Sequence, residues 1–189
     1  MKTARWKLLS EFHIELPYPP EKLDQFSSGD VLFLTGIIIT ARDQAHARIL
    51  EVQQGKRQAP FPLSLIQGGA IFHCGPLIKL VKDNSYVILS AGPTTSARMD
   101  SQTERVAQYL HPSFIIGKGG LTTYRPRPGM PIYLAFPGGC GALAAENIRA
   151  VKEVYWQDLG MPEAIWVLEV KDFGPLVVAI DVRGKSLYA

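Results

Sequence analysis

The stretch that decides the fold is GDVLFLTGIIITARDQAHARIL, residues 29–50. A turn signal precedes the apolar run Val31–Leu34, and the continuous apolarity of that run predicts a strand buried on both faces of a sheet. Thr40, with Asp43 three residues later, is typical of a helix start, and good helix formers continue over Ala41–Gln54. The stretch therefore predicts a strand that runs directly into a helix, as in an α/β fold.

Strand and helix signals alternate along the rest of the chain as well. Further strands are predicted at Lys7–Leu16, Ala70–Cys74, Tyr86–Ala91, Phe114–Ile116, Ile132–Phe136, Ala164–Val170 and Pro175–Val182. Helices are predicted at Ala97–Leu110 and Ala142–Val151, a polar loop at Gln53–Pro62 and a turn at Lys82–Asn84. A chain of 189 residues corresponds to one domain, so we expect a single α/β domain over residues 1–189.

Composition and charge exclude several classes of protein. The chain has 20 Lys and Arg against 17 Asp and Glu, scattered without a basic block that could follow a phosphate backbone, so nucleic acid is not an expected partner. The longest apolar stretch, residues 31–39, is about half of what a membrane-spanning helix needs, so no membrane association is expected. Two cysteines without a CxxC pair exclude a disulfide scaffold and favour a reducing, cytoplasmic location.

One candidate anion site is the segment Pro93–Arg98, PTTSAR. Its three hydroxyl residues lie at a predicted strand-to-helix junction, and Arg98 follows one turn later. Free backbone N–H groups, hydroxyls and a guanidinium together form a pocket suited to a carboxylate or a phosphate. The alternative interpretation is an ordinary helix N-cap built from the same hydroxyls.

Two further segments carry cations at the ends of predicted strands. Arg42 and Arg48 lie about 120° apart on a regular helix, so both cannot face one small ligand, and a solvated helix face is the alternative for this pair. Gly117–Gly120 is not a Walker A loop, because Pro112 and Gly119 replace the glycine and the hydroxyl residue which that motif requires. Lys118 at the end of a buried strand is then either a ligand-binding lysine or a surface-turn lysine.

Neither cysteine is predicted to carry chemistry of its own. Cys140 lies in a glycine-rich turn, but Ala142 replaces the last glycine of the nucleophile-elbow pattern. The spacing of Cys74 and Cys140 relative to the histidines does not match a zinc site. We therefore predict that this chain holds no metal by itself.

Six segments in this order resemble one family. They are residues 29–50, GGAIFHCGPLIK (68–79), SAGPTTSARMD (90–100), IIGKGGL (115–121), FPGGCGALA (136–144) and LGMPEAIWVLEVKDFGPLVVAIDVRG (159–184). The chain resembles the beta subunit of class I iron-sulfur hydro-lyases, which include the class I fumarases and the L(+)-tartrate dehydratases. The resemblance covers roughly residues 25–187.

The resemblance implies a swivelling β/β/α fold and half of an active site. In the family, three cysteines of a separate alpha subunit or N-terminal domain hold the catalytic [4Fe–4S] cluster. Two cysteines cannot supply the three or four thiolates that such a cluster needs, so this chain would borrow its metal centre. The expected partners are thus a cluster-bearing alpha subunit and a dicarboxylate substrate, and formation of a homodimer by the isolated chain stays open.

The implied reaction is the reversible hydration of fumarate to L-malate. The alternatives are dehydration of L(+)-tartrate to oxaloacetate, and a non-catalytic domain that binds dicarboxylates or acts as a scaffold. Positions within the shared motifs imply that Arg48 and Arg98 bind substrate carboxylates, that Lys118 is a third, catalytic cation and that Thr94 is the catalytic base. The residues implied to orient them are Asp43, His46 and Thr95. A threonine hydroxyl is a weak base, and neighbouring cations are what would lower its pKa.

Overall fold

Nine β-strands and three α-helices follow one another along residues 10–81 and 85–188, which the structure, a computed structural model, describes. The strands are β1 (Glu11–Glu15), β2 (Val31–Thr40), β3 (Ala70–Phe72), β4 (Leu77–Leu80), β5 (Tyr86–Ser90), β6 (Phe114–Gly117), β7 (Ile132–Ala135), β8 (Ile148–Tyr155) and β9 (Ile165–Ile180). The helices are α1 (Asp43–Gln53), α2 (Asp100–Leu110) and α3 (Gly141–Glu146), with a 3-10 helix at Ser96–Met99 directly before α2.

Most of the described strands form one sheet in the order β1-β2-β3-β6-β7-β9-β8. Strands β2, β3, β6 and β7 are parallel to one another, and β9 runs antiparallel to β7. Because β9 also pairs with β2, strands β2, β3, β6, β7 and β9 close into a barrel-like ring. Strands β4 and β5 form a separate antiparallel pair. This arrangement of strands and helices confirms the predicted α/β class.

The strand predicted at Val31–Leu34 is part of the longer strand β2, and its burial differs from the prediction. Leu32 and Leu34 are fully buried, whereas the residues between and before them are partly exposed. Burial on both faces occurs instead at the carboxyl end, where Ile38 belongs to the barrel core and Ile39 packs with α1 and α2. Both faces are covered there because these two helices lie over the outside of the barrel.

Aromatic side chains fill much of the barrel interior. Phe72, Phe136 and Phe173 are almost completely buried, and their ring centroids lie 5.3 to 6.2 Å apart in tilted or edge-to-face geometry. Burial of each such side chain contributes roughly 2 to 3 kcal/mol. The ends of the strands, and the loops that follow them, are therefore attached to a rigid frame.

Thr40 does not cap helix α1. The helix begins at Asp43, after Arg42, and no side chain makes a capping hydrogen bond. Thr40 is instead the last residue of β2, where its hydroxyl donates to the carbonyl of Ala164 and accepts from the backbone N–H of Trp166. A buried hydroxyl needs such partners, and the neighbouring strand supplies them.

The prediction was weakest between Ala142 and Val182. The helix predicted to reach Val151 ends at Glu146, and the next residues form β8, an edge strand paired with β9. The two strands predicted on either side of residues 172–174 are one strand, because pairing with β2 continues through local irregularities in register. Local β-propensity carries no information about which strands pair, so the continuation of β9 could not be predicted from it.

The remaining strand, helix and loop predictions agree with the structure where it describes them. Helix α1 ends at Gln53 and a loop follows, as predicted. The predicted first residues of the first strand, Lys7 to residue 9, and the predicted turn at Lys82–Asn84 lie outside the described residues. No helix in the described part of the chain has the length and apolar character required to cross a membrane.

Candidate active site

Four parallel strands bring the predicted cationic segments to one edge of the barrel. Strand β2 ends just before Arg42, β3 before His73, β6 before Lys118 and β7 before the glycine loop at 137–141. The carboxyl ends of parallel strands share one edge, which is the usual location of ligand sites in α/β proteins. Segments that are far apart in sequence are therefore close in space.

The PTTSAR segment fits between the ends of β3 and β6. The backbone N–H of Thr94 donates to the carbonyl of His73 at 2.7 Å, and the N–H of Lys118 donates to the carbonyl of Thr94 at 3.2 Å. The N–H of Ser96 then donates to the carbonyl of Lys118 at 3.0 Å. These bonds place Thr94 and Lys118 on adjacent backbone segments at the barrel edge.

Arg98 joins the hydroxyl of Thr94 to the carboxylate of Asp43. Its Nη2 donates to Thr94 Oγ1 at 2.8 Å, and its Nε and Nη2 donate to the two carboxylate oxygens of Asp43 at 3.1 and 3.0 Å. Burial tends to raise the pKa of Asp43, but the hydrogen bonds and charge of Arg98 outweigh it and hold that pKa below its ordinary value. Among the described residues, Nη1 of Arg98 has no hydrogen-bond partner and is available to a ligand.

Lys118 lies over the glycine loop that follows β7. A Cβ atom on Gly138 would be 2.9 Å from Cδ of Lys118, so a side chain at that position would displace the lysine. Lys118 is exposed, and its ammonium group makes no ion pair with any carboxylate in the described part of the chain. The amino group is thus a cation without a counter-charge at the edge of the site.

Arg42, which was not predicted as a site residue, lies close to the predicted ones. Its Nε lies 3.3 Å from Glu163 and 3.8 Å from Asp43, and its Nη1 would be 2.5 Å from a Cβ atom on Gly75. The Arg42 guanidinium therefore lies beside the loop after β3 and next to the Asp43–Arg98 pair. The sequence contained one signal for Arg42. Because Arg42 and Arg48 lie about 120° apart on a regular helix, only one of them could face a small ligand, and the other had to be structural.

Arg48 is engaged elsewhere. Its Nη1 donates to both carboxylate oxygens of Asp158, at 2.8 and 2.7 Å, and its guanidinium lies 5.5 Å from the ring centroid of Trp156. On α1 it lies about 140° around the axis from Asp43, which faces Arg98. The structure does not bring Arg48 together with Thr94, Arg98 and Lys118.

The remaining predicted site residues have different surroundings. His46 is fully buried, its Nδ1 donates to the carbonyl of Arg42 at 3.0 Å, and burial lowers its pKa from 6.5 to about 4. His46 therefore holds the backbone at Arg42, whereas it was expected to orient the side chain of Arg48. Thr95 is exposed and pairs through its backbone with Lys118. Thr95 makes no side-chain capping bond to the following 3-10 helix, so the N-cap interpretation does not explain its hydroxyl.

The thiols of this chain do not fit as ligands of an iron-sulfur cluster. Cys74 is fully buried, and burial raises the pKa of its thiol to about 12. Cys140 is partly buried and packs against the barrel core. Among residues 10–81 and 85–188, no group of three or more His, Cys, Asp or Glu side chains is arranged to hold a metal ion.

A concave surface beside Lys118 provides room for a small ligand. Its volume is about 340 Å³, and it is lined by the glycine loop after β7 and by Phe136 and Tyr188. A groove of about 450 Å³ lies between Tyr86 and β8, but none of the predicted site residues lines it. We assign the candidate site to the barrel edge at Lys118, because Lys118 lines this surface and Thr94, which accepts a hydrogen bond from Arg98, lies on the adjacent backbone segment.

Comparison with known proteins agrees with the resemblance in the motifs. Residues 4–189 match the protein family described as Fumarase C-terminus. The chain is 47% identical over 166 residues to a putative L(+)-tartrate dehydratase subunit beta of Methanocaldococcus jannaschii, covering 85% of this chain and 82% of that protein.

Two other relatives match nearly all of this chain, but the match covers very different fractions of their own lengths. The L(+)-tartrate dehydratase subunit beta of Escherichia coli K12 is 40% identical over 176 residues, which are 92% of this chain and 84% of that protein. A putative class I fumarate hydratase of Geobacillus stearothermophilus is 33% identical over 178 residues. That match covers 93% of this chain but 33% of the longer protein.

Proposed function

The chain belongs to the fumarase C-terminus family, and from that membership we propose that it is the beta subunit of a hydro-lyase acting on a four-carbon 2-hydroxydicarboxylate. The first proposed reaction is the reversible hydration of fumarate to L-malate. The proposal includes an alpha subunit as the partner, since the two most similar relatives named above are both called subunit beta.

The observation that carries this proposal is the hydrogen bond from Arg98 to Thr94 Oγ1, with Lys118 on the adjacent backbone segment. A hydroxyl that accepts a hydrogen bond from a guanidinium loses its proton more readily, because the cation stabilises the alkoxide. Thr94 is thus a candidate proton acceptor, and the nearby cations suit the two carboxylates of a dicarboxylate.

In the dehydration direction, the chain's own residues account for one half of the reaction. Thr94 acts as its alkoxide, after its hydroxyl proton has been lost to solvent. The C3–H bond of malate breaks, the proton moves to the alkoxide oxygen of Thr94, and the electron pair spreads into the adjacent carboxylate. Preorganised Arg98 and Lys118 stabilise that developing charge. The C2–OH bond then breaks, the electron pair forms the C2–C3 double bond, and the hydroxyl leaves as water after protonation from outside this chain.

We propose that the alpha subunit contributes the [4Fe–4S] cluster. An iron of such a cluster with an open coordination position acts as a Lewis acid on a substrate hydroxyl. The residues of this chain are assigned to substrate binding and proton transfer, because its thiols do not fit as cluster ligands.

We propose Arg42 as a carboxylate ligand in addition to Arg98, in the place expected for Arg48. The position of Arg42 beside Gly75 and the Asp43–Arg98 pair supports this assignment. Arg48 is bound to Asp158 and lies over Trp156, away from the Asp43–Arg98 pair, and this location argues against a role for Arg48 in substrate binding.

L(+)-tartrate is the second candidate substrate. Two of the relatives described above are named tartrate dehydratase beta subunits, and they match this chain over most of their own length. Malate and tartrate differ by one hydroxyl, so one or two contacts in the site decide between them.

The test is an anaerobic assay of L-malate and L(+)-tartrate dehydration by this chain mixed with its alpha subunit after cluster reconstitution. We expect activity from the mixture, and the ratio of the two kcat/KM values identifies the substrate. As the control, the chain alone is expected to be colourless and inactive.

Two results would count against the proposal. Absence of activity on both substrates, in a complex whose cluster is intact by absorbance, would favour a non-catalytic dicarboxylate-binding domain. A brown and active preparation of this chain alone would contradict the assignment of the cluster to the partner.

A further inference from the structure

Three polar side chains form a fully buried group beneath the candidate site, and none of them has a role in the proposed reaction. Ser96 Oγ lies 2.8 Å from His73 Nδ1 and 3.0 Å from the hydroxyl of Tyr133. The Tyr133 hydroxyl also lies 2.8 Å from the carbonyl of Gly119. We call Ser96, His73 and Tyr133 the Ser96 cluster.

The hydrogen bonds of the Ser96 cluster have a preferred direction. The carbonyl of Gly119 can only accept, so the Tyr133 hydroxyl donates to it. Ser96 then donates to Tyr133 and accepts from His73 Nδ1–H. In this arrangement His73 Nε2, which has no hydrogen-bond partner among the described residues, carries a lone pair rather than an unpaired N–H group. Burial and the nearby His46 lower the pKa of His73 well below its ordinary value, so the ring is neutral.

The Ser96 cluster connects the segments that carry Thr94 and Lys118. His73 follows β3, Ser96 lies two residues after Thr94, Gly119 follows Lys118, and Tyr133 is on β7. Backbone hydrogen bonds join the same segments, from Thr94 to His73 and from Ser96 to Lys118. The side chain of Ser96 thus lies on the buried side of the two segments that carry Thr94 and Lys118 and links them through its hydrogen bonds.

The packing around the Ser96 cluster is specific. A Cβ atom on Gly117 would be 1.9 Å from Ser96 Oγ, 3.1 Å from the Tyr133 hydroxyl and 3.2 Å from His73 Nδ1. The glycine before Lys118 is therefore required for the cluster to form. This gives a structural reason for the first glycine of the IGKGG motif that is independent of ligand binding.

We propose that Ser96 is a positioning residue for the reaction, which fixes Thr94 relative to Lys118 through its hydrogen bonds to His73 and Tyr133. This inference rests on the proposed function of Thr94 and Lys118. Loss of the Ser96 hydroxyl leaves the buried Nδ1–H of His73 without an acceptor, removes one of the two hydrogen bonds of the Tyr133 hydroxyl, and releases the segment on which Thr94 lies. A displacement of about 1 Å at reacting groups costs on the order of 10²-fold in rate.

The first test measures the positioning without any enzyme activity. Ser96→Ala is compared with Ser113→Ala, which also removes a buried serine hydroxyl, one that donates to the carbonyl of Tyr18 away from the site. In amide hydrogen exchange on this chain, Ser96→Ala should increase exchange at the backbone amides of residue 96 and Lys118, whereas Ser113→Ala should not. Unchanged exchange at both amides in Ser96→Ala would overturn the inference.

The second test uses the reconstituted complex and separates turnover from binding. Ser96→Ala should lower kcat by about 10²-fold with a smaller change in KM, while Ser113→Ala stays within a few-fold of the wild type. His73→Asn places an amide N–H near the position of Nδ1 and should retain most of the turnover that His73→Leu loses. Equal activity of His73→Asn and His73→Leu would contradict the hydrogen-bond role.

The two tests distinguish failure of this inference from failure of the proposed function. If the wild-type complex is inactive on both substrates but Ser96→Ala still increases exchange at Lys118, the proposed function fails. If the wild-type complex is active and Ser96→Ala matches Ser113→Ala in kcat, the positioning role of Ser96 fails.

Discussion

Arg48 and Lys118 carry the same charge, and what separates them is the counter-charge beside each. Arg48 makes two hydrogen bonds to Asp158, whereas Lys118 has no carboxylate partner in the described part of the chain. An unpaired cation at the edge of a cavity can gain binding energy from an anionic ligand, and a neutralised one gains much less. At the scale of single residues, the unpaired charge of Lys118 and its position at the edge of the cavity, rather than its residue type, make it a candidate ligand.

A lysine substitution tests this distinction directly. Lys118→Ala should lower kcat of the reconstituted complex by about 10²-fold or more, because it removes a cation that stabilises the charge developing in the transition state. Lys56→Ala, on the exposed loop after α1, removes an equal charge away from the site and is the control. Steady-state kinetics, with assembly checked by size-exclusion chromatography, measures both. Near-normal turnover in Lys118→Ala would remove Lys118 from the site.

At the scale of elements, Gly36 determines how closely the segment after β1 packs against β2. Gly36 in the middle of this strand has φ +128°, a backbone conformation that glycine adopts readily and other residues rarely do. A Cβ atom at this position would be 2.8 Å from Cβ and 2.9 Å from the carbonyl oxygen of Leu16. The segment after β1 can approach β2 this closely because residue 36 has no side chain.

Substitution of Gly36 should destabilise the fold beyond the backbone effect alone. Gly36→Ala is expected to lower the free energy of unfolding by roughly 2 to 4 kcal/mol, since strain at positive φ and a clash with backbone add together. Gly55→Ala is the matched control, because Gly55 also has positive φ but open space around it, and it should cost about 1 kcal/mol. Urea unfolding measures the difference, and equal losses would show that the close contact with Leu16 is not important.

At the scale of the whole molecule, the fold buries two histidines under a cationic site. His46 and His73 are fully buried with ring centroids 5.0 Å apart, and burial lowers the pKa of each. The unfolded chain binds protons at these side chains below about pH 6.5, while the folded chain does not. Folding stability is therefore greatest above that pH and falls as the solution is acidified.

Part of this acid sensitivity can be assigned to His46. Between pH 6.5 and 5, protonation of His46 in the unfolded state should lower the free energy of unfolding by about 1.6 kcal/mol, because its folded pKa is about 4. In His46→Asn, whose amide can still donate to the carbonyl of Arg42, the dependence on pH should be weaker. His111→Asn alters an exposed histidine and is the control. Urea unfolding at a series of pH values would contradict the assignment if His46→Asn kept the wild-type slope.

Local patterns in the sequence determined the fold class, most strands, helices α1 and α2, and the segments that carry the candidate site. Strand and helix periodicity depends on which residues are apolar, and the motif at Pro93–Arg98 is contiguous, so both can be read along the chain. Only the tertiary structure decided three features: the pairing of Arg48 with Asp158, the contacts of Arg42 beside the Asp43–Arg98 pair, and the Ser96 cluster. Each depends on contacts between residues far apart in sequence, such as Arg42 with Glu163, which the barrel brings together.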